Sequence, residues 1–163
     1  MADSPPMTET ASVLRALAGL ELAALRHHRV VRARLNIGEE ELAALLYLAR
    51  HDGVPQRRLP EITNLSRSGA GAMIQRLEQD GFVERRSDPS DRRLRFIELS
   101  AEGRERLRDA YREVGETVER ALADGAPGDL ELLARLLDGL ADAVDEHDAA
   151  LALPHDPIWR RWA

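Results

Sequence analysis

Two short helical segments, joined by a three-residue connection and followed at once by a hairpin rich in arginine, constrain this fold more than any other feature. The first segment is expected over Pro55 to Ile62, and Thr63-Asn64-Leu65 forms the connection. Ser66 then supplies a side-chain oxygen of the kind that caps a helix N-terminus, for a helix ending near Asp80-Gly81. Short helices joined this closely make a helix-turn-helix. The pattern next becomes that of strands: Phe82-Val83-Glu84-Arg85-Arg86, the turn-forming Ser87-Asp88-Pro89-Ser90-Asp91, then Arg92 to Leu99. Phe82, Val83, Phe96, Ile97 and Leu99 supply the apolar members of this hairpin.

The flanks read as helices of a different kind. Thr8 to Leu35 carries Leu14, Leu17, Leu20, Ala24, Val31 and Leu35 on one side, with Ala18, Leu22 and Leu25 widening the stripe. Gly38 followed by Glu39, Glu40 and Glu41 marks another helix start, because carboxylates in a first turn favour the positive end of the helix dipole. Leu42, Leu45, Leu46 and Ala49 form its expected apolar face, and Asp52-Gly53 its end. After the hairpin, Ser100 caps a helix bearing Leu107, Tyr111, Val114, Val118 and Leu122, which Gly125-Ala126-Pro127-Gly128 interrupts. Leu130, Leu133, Leu137, Leu140 and Val144 on the last helix form a heptad-like seam, suited to packing within a bundle or across a dimer. The expected fold class is mainly α with one small β-hairpin, in the order helix, helix, helix, helix, hairpin, helix, helix.

Charge is unevenly spread. The net value of −6 conceals a middle section, residues 50–108, with 13 Arg against 10 acids, while the rest holds 10 Arg against 19 acids. Every cationic side chain other than histidine is Arg, whose planar fork matches phosphate in a way the Lys ammonium does not. A positive segment inside an acidic chain is what a local phosphate-binding face produces. The chain has no Cys, which excludes disulfides, thiolate nucleophiles and thiol-based metal or redox sites. No apolar run approaches the roughly 18 residues of a membrane span, and Met1 to Thr10 does not read as a secretion signal. A cytoplasmic protein with no membrane partner is expected.

Leu59-Pro60-Glu61-Ile62, Leu65-Ser66 and Arg76-Leu77-Glu78-Gln79-Asp80-Gly81-Phe82-Val83-Glu84-Arg85 resemble the helix-turn-helix of the MarR (multiple-antibiotic-resistance regulator) family. Asp88-Pro89-Ser90-Asp91-Arg92-Arg93, Ile97-Glu98-Leu99-Ser100 and Glu102-Gly103-Arg104 are similar to its wing. The resemblance implies a winged helix-turn-helix over residues 36–100, with dimerisation helices in residues 1–35 and 101–163. It also implies a homodimeric, double-stranded-DNA-binding transcriptional regulator, commonly a repressor. In the family an arginine at the wing tip enters the minor groove, braced by an acid; Arg92 with Asp88 or Asp91 matches that arrangement.

The residues suit the same reading. The N-terminal turns of a recognition helix lie nearest the base edges, here Ser66, Arg67, Ser68 and Gly69, with Gly71, Ala72 and Gln75 beyond. Arg67 matches guanine, Gln75 matches adenine or a phosphate, and Arg92, Arg93 and Arg95 suit phosphates or a narrow minor groove. Arg57, Arg58, Arg85 and Arg86 are supporting phosphate contacts. Gly69 and Gly71 depart from the family pattern, and each costs about 0.5–1 kcal/mol relative to alanine within a helix. They permit a closer backbone approach to DNA or leave the helix locally loose.

A small aromatic or phenolic effector is further implied by the resemblance, which places a cleft between the dimer helices and the DNA-binding lobe. Such a carboxylate needs an apolar wall and a polar anchor, for which His28, Tyr47 and Tyr111 are candidates beside His27 and Arg29. His27, His28, His51, His147 and His155 show no distinctive ligand spacing, so no metal or cofactor is expected. There is no Gly-rich phosphate loop, GxSxG elbow or HExxH, and no catalytic residue is assigned. Two alternatives stay open: a winged-helix module that binds protein, and a DNA-binding regulator without a ligand.

Overall fold

A computed structural model of the chain describes residues 7–51, 53–87, 95–123, 125–126 and 128–151, with side chains from residue 10 to residue 144 of these. Helix α1 spans Met7–Leu35 and α2 spans Glu39–Arg50. Asn36 turns the chain between them at φ 55°, in the left-handed region where Asn is among the few side chains tolerated. Val31 and Leu35 are buried, whereas Leu14, Leu20, Leu22 and Leu25 of the same stripe are more than half exposed. On α2 the buried set is Leu42, Ala44, Leu45 and Leu48. The expected Leu46 is only half-buried and Ala49 is exposed. The buried face is displaced because α2 contacts both α3 (Leu59–Thr63) and a strand of the sheet described below.

The segment after α2 departs from the expected helix over Pro55 to Ile62. Val54–Pro55 forms a short strand, β1, and Gln56–Arg58 makes a 3-10 turn before α3 begins. A proline at the edge of a sheet forfeits no interior hydrogen bond, and Pro60 sits in the first turn of α3 where its missing N–H is not needed. Thr63 Oγ1 donates to the Leu59 carbonyl at 2.8 Å, and Asn64 closes the helix at φ 52°. Helix α4 then runs Arg67–Gln79, with Met73, Ile74 and Leu77 buried as their spacing predicts.

Strands β2 (Val83–Ser87) and β3 (Arg95–Leu99) are antiparallel, in register from Val83↔Leu99 to Ser87↔Arg95. β1 adds to the far side of β3 through Val54↔Ile97 and Pro55↔Phe96, giving a sheet of order β1-β3-β2. Phe82, wholly buried, joins α2, α4 and the sheet in one hydrophobic core.

Helix α5 (Ala101–Ala121) is fastened to the start of the hairpin. Ser100 Oγ accepts from the Gly103 N–H at 2.9 Å and donates to the Gly81 carbonyl at 2.5 Å, while the Ser100 N–H donates to the Phe82 carbonyl at 3.0 Å. Arg106 lies 3.8 Å above the Phe82 ring and donates to the Asp80 carbonyl at 2.9 Å. Leu107 is buried and Tyr111 half-buried, whereas Val114 and Val118 are exposed.

The chain divides into two units, Met1–Arg112 and Glu113–Ala163. The second holds the end of α5 and α6 (Asp129–Leu151), whose Leu130, Leu137, Leu140 and Val144 are exposed. No helix among the described residues is long and apolar enough to cross a membrane.

Candidate nucleic-acid interface

Helix α4 begins as its sequence dictates. Ser66 has extended backbone (φ −64°, ψ 160°) and its Oγ accepts from the Gly69 N–H at 3.1 Å, which satisfies one of the amides left unpaired at a helix start. Ser68 Oγ lies 3.1 Å from Ser66 Oγ. The two hydroxyls form one polar cluster, with Ser66 serving the helix first. Gly69 has a local cause: a Cβ there would stand 3.3 Å from Ser66 Oγ, crowding the cap. Gly71 has none, since a Cβ would meet nothing within 4 Å.

Beside this helix start lies an open cavity of about 470 Å³. Pro55, Gln56 and Arg57 border it from β1 and the 3-10 turn, and Pro60 from α3. Arg67, Ala70 and Gly71 border it from α4, and Arg95 from β3. Three arginines that are apart in sequence thus share one recess whose lining, among the described residues, contains no acid. All three are exposed, and among the described residues none of them has an ion-pair partner.

Four other arginines of this region are engaged. Arg85 pairs with Glu78 at 3.1 Å, and Arg86 with Glu98 at 3.2 Å while lying over the Phe96 ring. Arg58 sits 3.7 Å from Glu61, and Arg76 pairs with Glu41 at 2.8 Å. These pairings separate the arginines that brace the fold from those open to an external anion, a distinction the sequence does not display. Gln56 is an added member of the recess, and no local pattern marks it.

Gln75 does not join that recess. It lies about 80° round α4 from Arg67 and borders a second, larger hollow of about 1010 Å³, together with Gly69, Ala72 and Arg76. Arg92 and Arg93, with Asp88 and Asp91, lie outside the described residues.

Of the three ligand candidates, His28 and Tyr111 meet edge to face with ring centres 6.5 Å apart, while Tyr47 packs against His51. His28 borders a recess of about 380 Å³ between α1 and α2, with Arg29 and Arg32 above Leu25, Leu42 and Leu46. Tyr111 borders a separate, mostly apolar cavity of about 360 Å³ with Leu46, Leu99, Leu107, Arg104 and Arg108. Tyr47 borders neither of these two and stacks on His51, with ring centres 4.2 Å apart. His27 and Tyr111 meet edge to face at 5.1 Å, and neither His27 Nε2 nor the Tyr111 hydroxyl has a hydrogen-bond partner among the described residues. Burial, then the neighbouring His27 and Arg32, lower the His28 pKa against an opposing pull from Glu39, and burial raises that of Tyr111. Among the described residues no group of His, Asp and Glu converges as metal ligands.

A helix-turn-helix backed by a three-stranded sheet, with arginines gathered at the start of the second helix, defines a winged helix-turn-helix protein. The sequence pattern of the MarR family matches residues 35–94, which include α2, the helix-turn-helix and β2. The HTH-type transcriptional regulator YdgJ of Bacillus subtilis (strain 168) is 28% identical over 109 residues, covering 67% of this chain and 65% of its own length. The transcriptional regulator HosA of Escherichia coli O111:H- is 28% identical over 109 residues, covering 66% of this chain and 80% of its own. In fold the chain is similar to a crystal structure of a MepR mutant from S. aureus, with a TM-score of 0.64 at 18% identity, covering 82% of this chain and 96% of that one. Over residues 35–94 the chain is thus similar to the MarR family.

Proposed function

We propose that this chain acts as a homodimeric, sequence-specific DNA-binding repressor, with α4 in the major groove and the hairpin as a wing against the flanking backbone. The observation that carries this reading is the convergence of Arg57, Arg67 and Arg95, unpaired among the described residues, beside the N-terminus of α4. Guanidinium groups without internal partners can neutralise phosphates without first breaking an ion pair, and a helix N-terminus adds its own attraction for anions. Arg67 lies on the first turn of α4, where a side chain can reach a base edge, and the sequence offers Arg92 and Arg93 as further phosphate or minor-groove contacts.

Residues 36–100 form the DNA-binding part in this reading, and residues 1–35 and 101–163 the dimerisation part. The exposed Leu14, Leu20 and Leu22 of α1, and the exposed leucines of α6, are the apolar surface a second copy would cover. A two-fold dimer reads a pseudo-palindrome with half-sites about 10 bp apart. Release by a small aromatic or phenolic acid is supported by the two recesses that carry His28 and Tyr111, each with apolar walls and arginine at hand.

Fluorescence anisotropy with DNA flanking the chain's own gene, over a salt series, tests the reading. Specific binding should weaken steeply with salt, and Arg67→Ala or Arg95→Ala should each lower the log–log slope by about one. Arg92→Ala/Arg93→Ala locates the wing contact in the same assay. If neither flanking nor genome-wide DNA is preferred over random duplex, the fold serves a protein partner and the DNA reading is wrong.

A further inference from the structure

The first turn of α2 reaches in two directions. Glu39 pairs with Arg32 of α1 at 3.2 Å. Glu41, whose side chain is only 12% exposed, uses both of its oxygens: Oε2 accepts from the Gly38 N–H at 2.7 Å and Oε1 meets Arg76 of α4 at 2.8 Å. The Gly38 contact is half of a capping box, the other half being impossible without a side chain on Gly38. The Arg76 contact spans the large hollow bordered by Gly38 and Glu40 on one side and by Gly69, Ala72 and Gln75 on the other. α4 rests on α3 and β2, and this ion pair ties its last turn to the first turn of α2.

We propose that Glu41 is a positioning residue that sets the seating of α4 and thereby the sequence specificity of DNA binding, without touching DNA. The proposal rests on the DNA-binding reading. Two features separate Glu41 from an ordinary surface partner of an arginine. Its carboxylate is fixed by a backbone N–H and shielded from water, so its direction is set before Arg76 meets it. Arg76 follows Gln75 directly, so a hold on Arg76 is a hold on the stretch of α4 that offers Gln75 to a base. Base contacts need that alignment, whereas phosphate contacts tolerate its loss. Because Glu39 in the same turn holds Arg32, the turn also couples α1 to the recognition helix.

The test compares wild type, Glu41→Gln, Arg76→Gln, Arg76→Lys and the double variant Glu41→Gln/Arg76→Gln, each as the full chain. Glu41→Gln keeps an acceptor for the Gly38 N–H, and Arg76, with a side chain 65% exposed, can change without opening the core. The probes are a duplex enriched by the wild type from a random-sequence pool and an unselected random duplex, each over a salt series, with thermal unfolding in parallel. Each Gln variant should lose about tenfold in affinity for the enriched duplex, and the double variant should lose no more than either, as expected for two groups acting through one contact. Random-duplex affinity and salt slope should stay unchanged, and Arg76→Lys should recover most of the loss. Additive losses, or a salt slope about one lower in Arg76→Gln, would overturn the proposal, the latter by making Arg76 a phosphate contact. A wild type that enriches no duplex overturns the DNA reading and the proposal with it.

Discussion

Replacing Gly103 by alanine sets two physical effects against each other within one helix. On helix propensity alone the change should stabilise by about 0.5–1 kcal/mol. The surroundings oppose it. An added Cβ would lie 2.0 Å from the Phe82 carbonyl oxygen, 2.7 Å from its carbon and 2.9 Å from the Phe82 Cα. All three are backbone atoms, so no side-chain rotation relieves the contact. Ordinary van der Waals contact begins near 3.4 Å, and the start of α5 would have to lift by 1.4 Å to reach it. That movement breaks the Ser100 N–H to Phe82 bond at 3.0 Å, the Ser100 hydroxyl to Gly81 bond at 2.5 Å and the Arg106 to Asp80 bond at 2.9 Å. Each is worth about 0.5–1.5 kcal/mol. Partial relaxation substitutes overpacking of about 1–3 kcal/mol for some of that loss. The expected net effect is a destabilisation of about 3 kcal/mol. Urea unfolding at one fixed protein concentration measures it, with Gly71→Ala as the comparison, because a Cβ at Gly71 meets nothing within 4 Å. Gly71→Ala should gain about 0.5–1 kcal/mol. A Gly103→Ala protein as stable as wild type would refute the reasoning, since α5 would then rest on Phe82 less closely than the structure has it.

Ser66→Ala removes the acceptor for the Gly69 N–H and should cost about 1 kcal/mol in unfolding experiments, whereas Ser68→Ala, whose hydroxyl bonds only Ser66 among the described residues, should cost far less. Arg86→Ala should leave the salt dependence of DNA binding unchanged, because Arg86 is already held by Glu98; a slope about one lower would count it among the phosphate contacts. His28 has a folded-state pKa below its ordinary 6.5, so the unfolded chain binds more protons just below that value. His28 therefore contributes stability that is present above 6.5 and lost as pH falls below it. His28→Gln should flatten the decline of melting temperature over that window, and an unaltered profile would place the titration elsewhere.

Local chemistry was legible in the sequence where the partners are close along the chain. Ser66 and Gly69 are three residues apart, and Met73, Ile74 and Leu77 share a face by helical spacing alone. Ser100 announced the start of α5. The strand at Val54–Pro55 was not legible, because two residues become a strand only by meeting Ile97 and Phe96. Nor was the sorting of the arginines: Arg85 and Arg86 looked as available as Arg57 until Glu78 and Glu98 were found beside them. Gly103 belonged to a recognisable motif, yet the reason for its missing side chain lies in the Phe82 carbonyl, which no periodicity reveals. Glu41 read as one of three dipole-favouring acids and proved to be the one that grips α4.

The short strand β1 has a consequence for what the interface can grip. Pro55 is paired across the sheet with Phe96, the neighbour of Arg95, and Arg57 follows two residues after Pro55. The gap between those two arginines is therefore held by a cross-strand pairing, like the jaws of a fixed gauge. Under the proposed DNA reading, this fixed backbone spacing narrows the range of phosphate separations that the two flexible guanidinium groups reach together. An A-form duplex, with its narrow, deep major groove, presents its phosphates at a different separation from B-form DNA. If the proposed DNA contact holds, the sheet edge therefore favours one duplex form over the other independently of any base contact by α4.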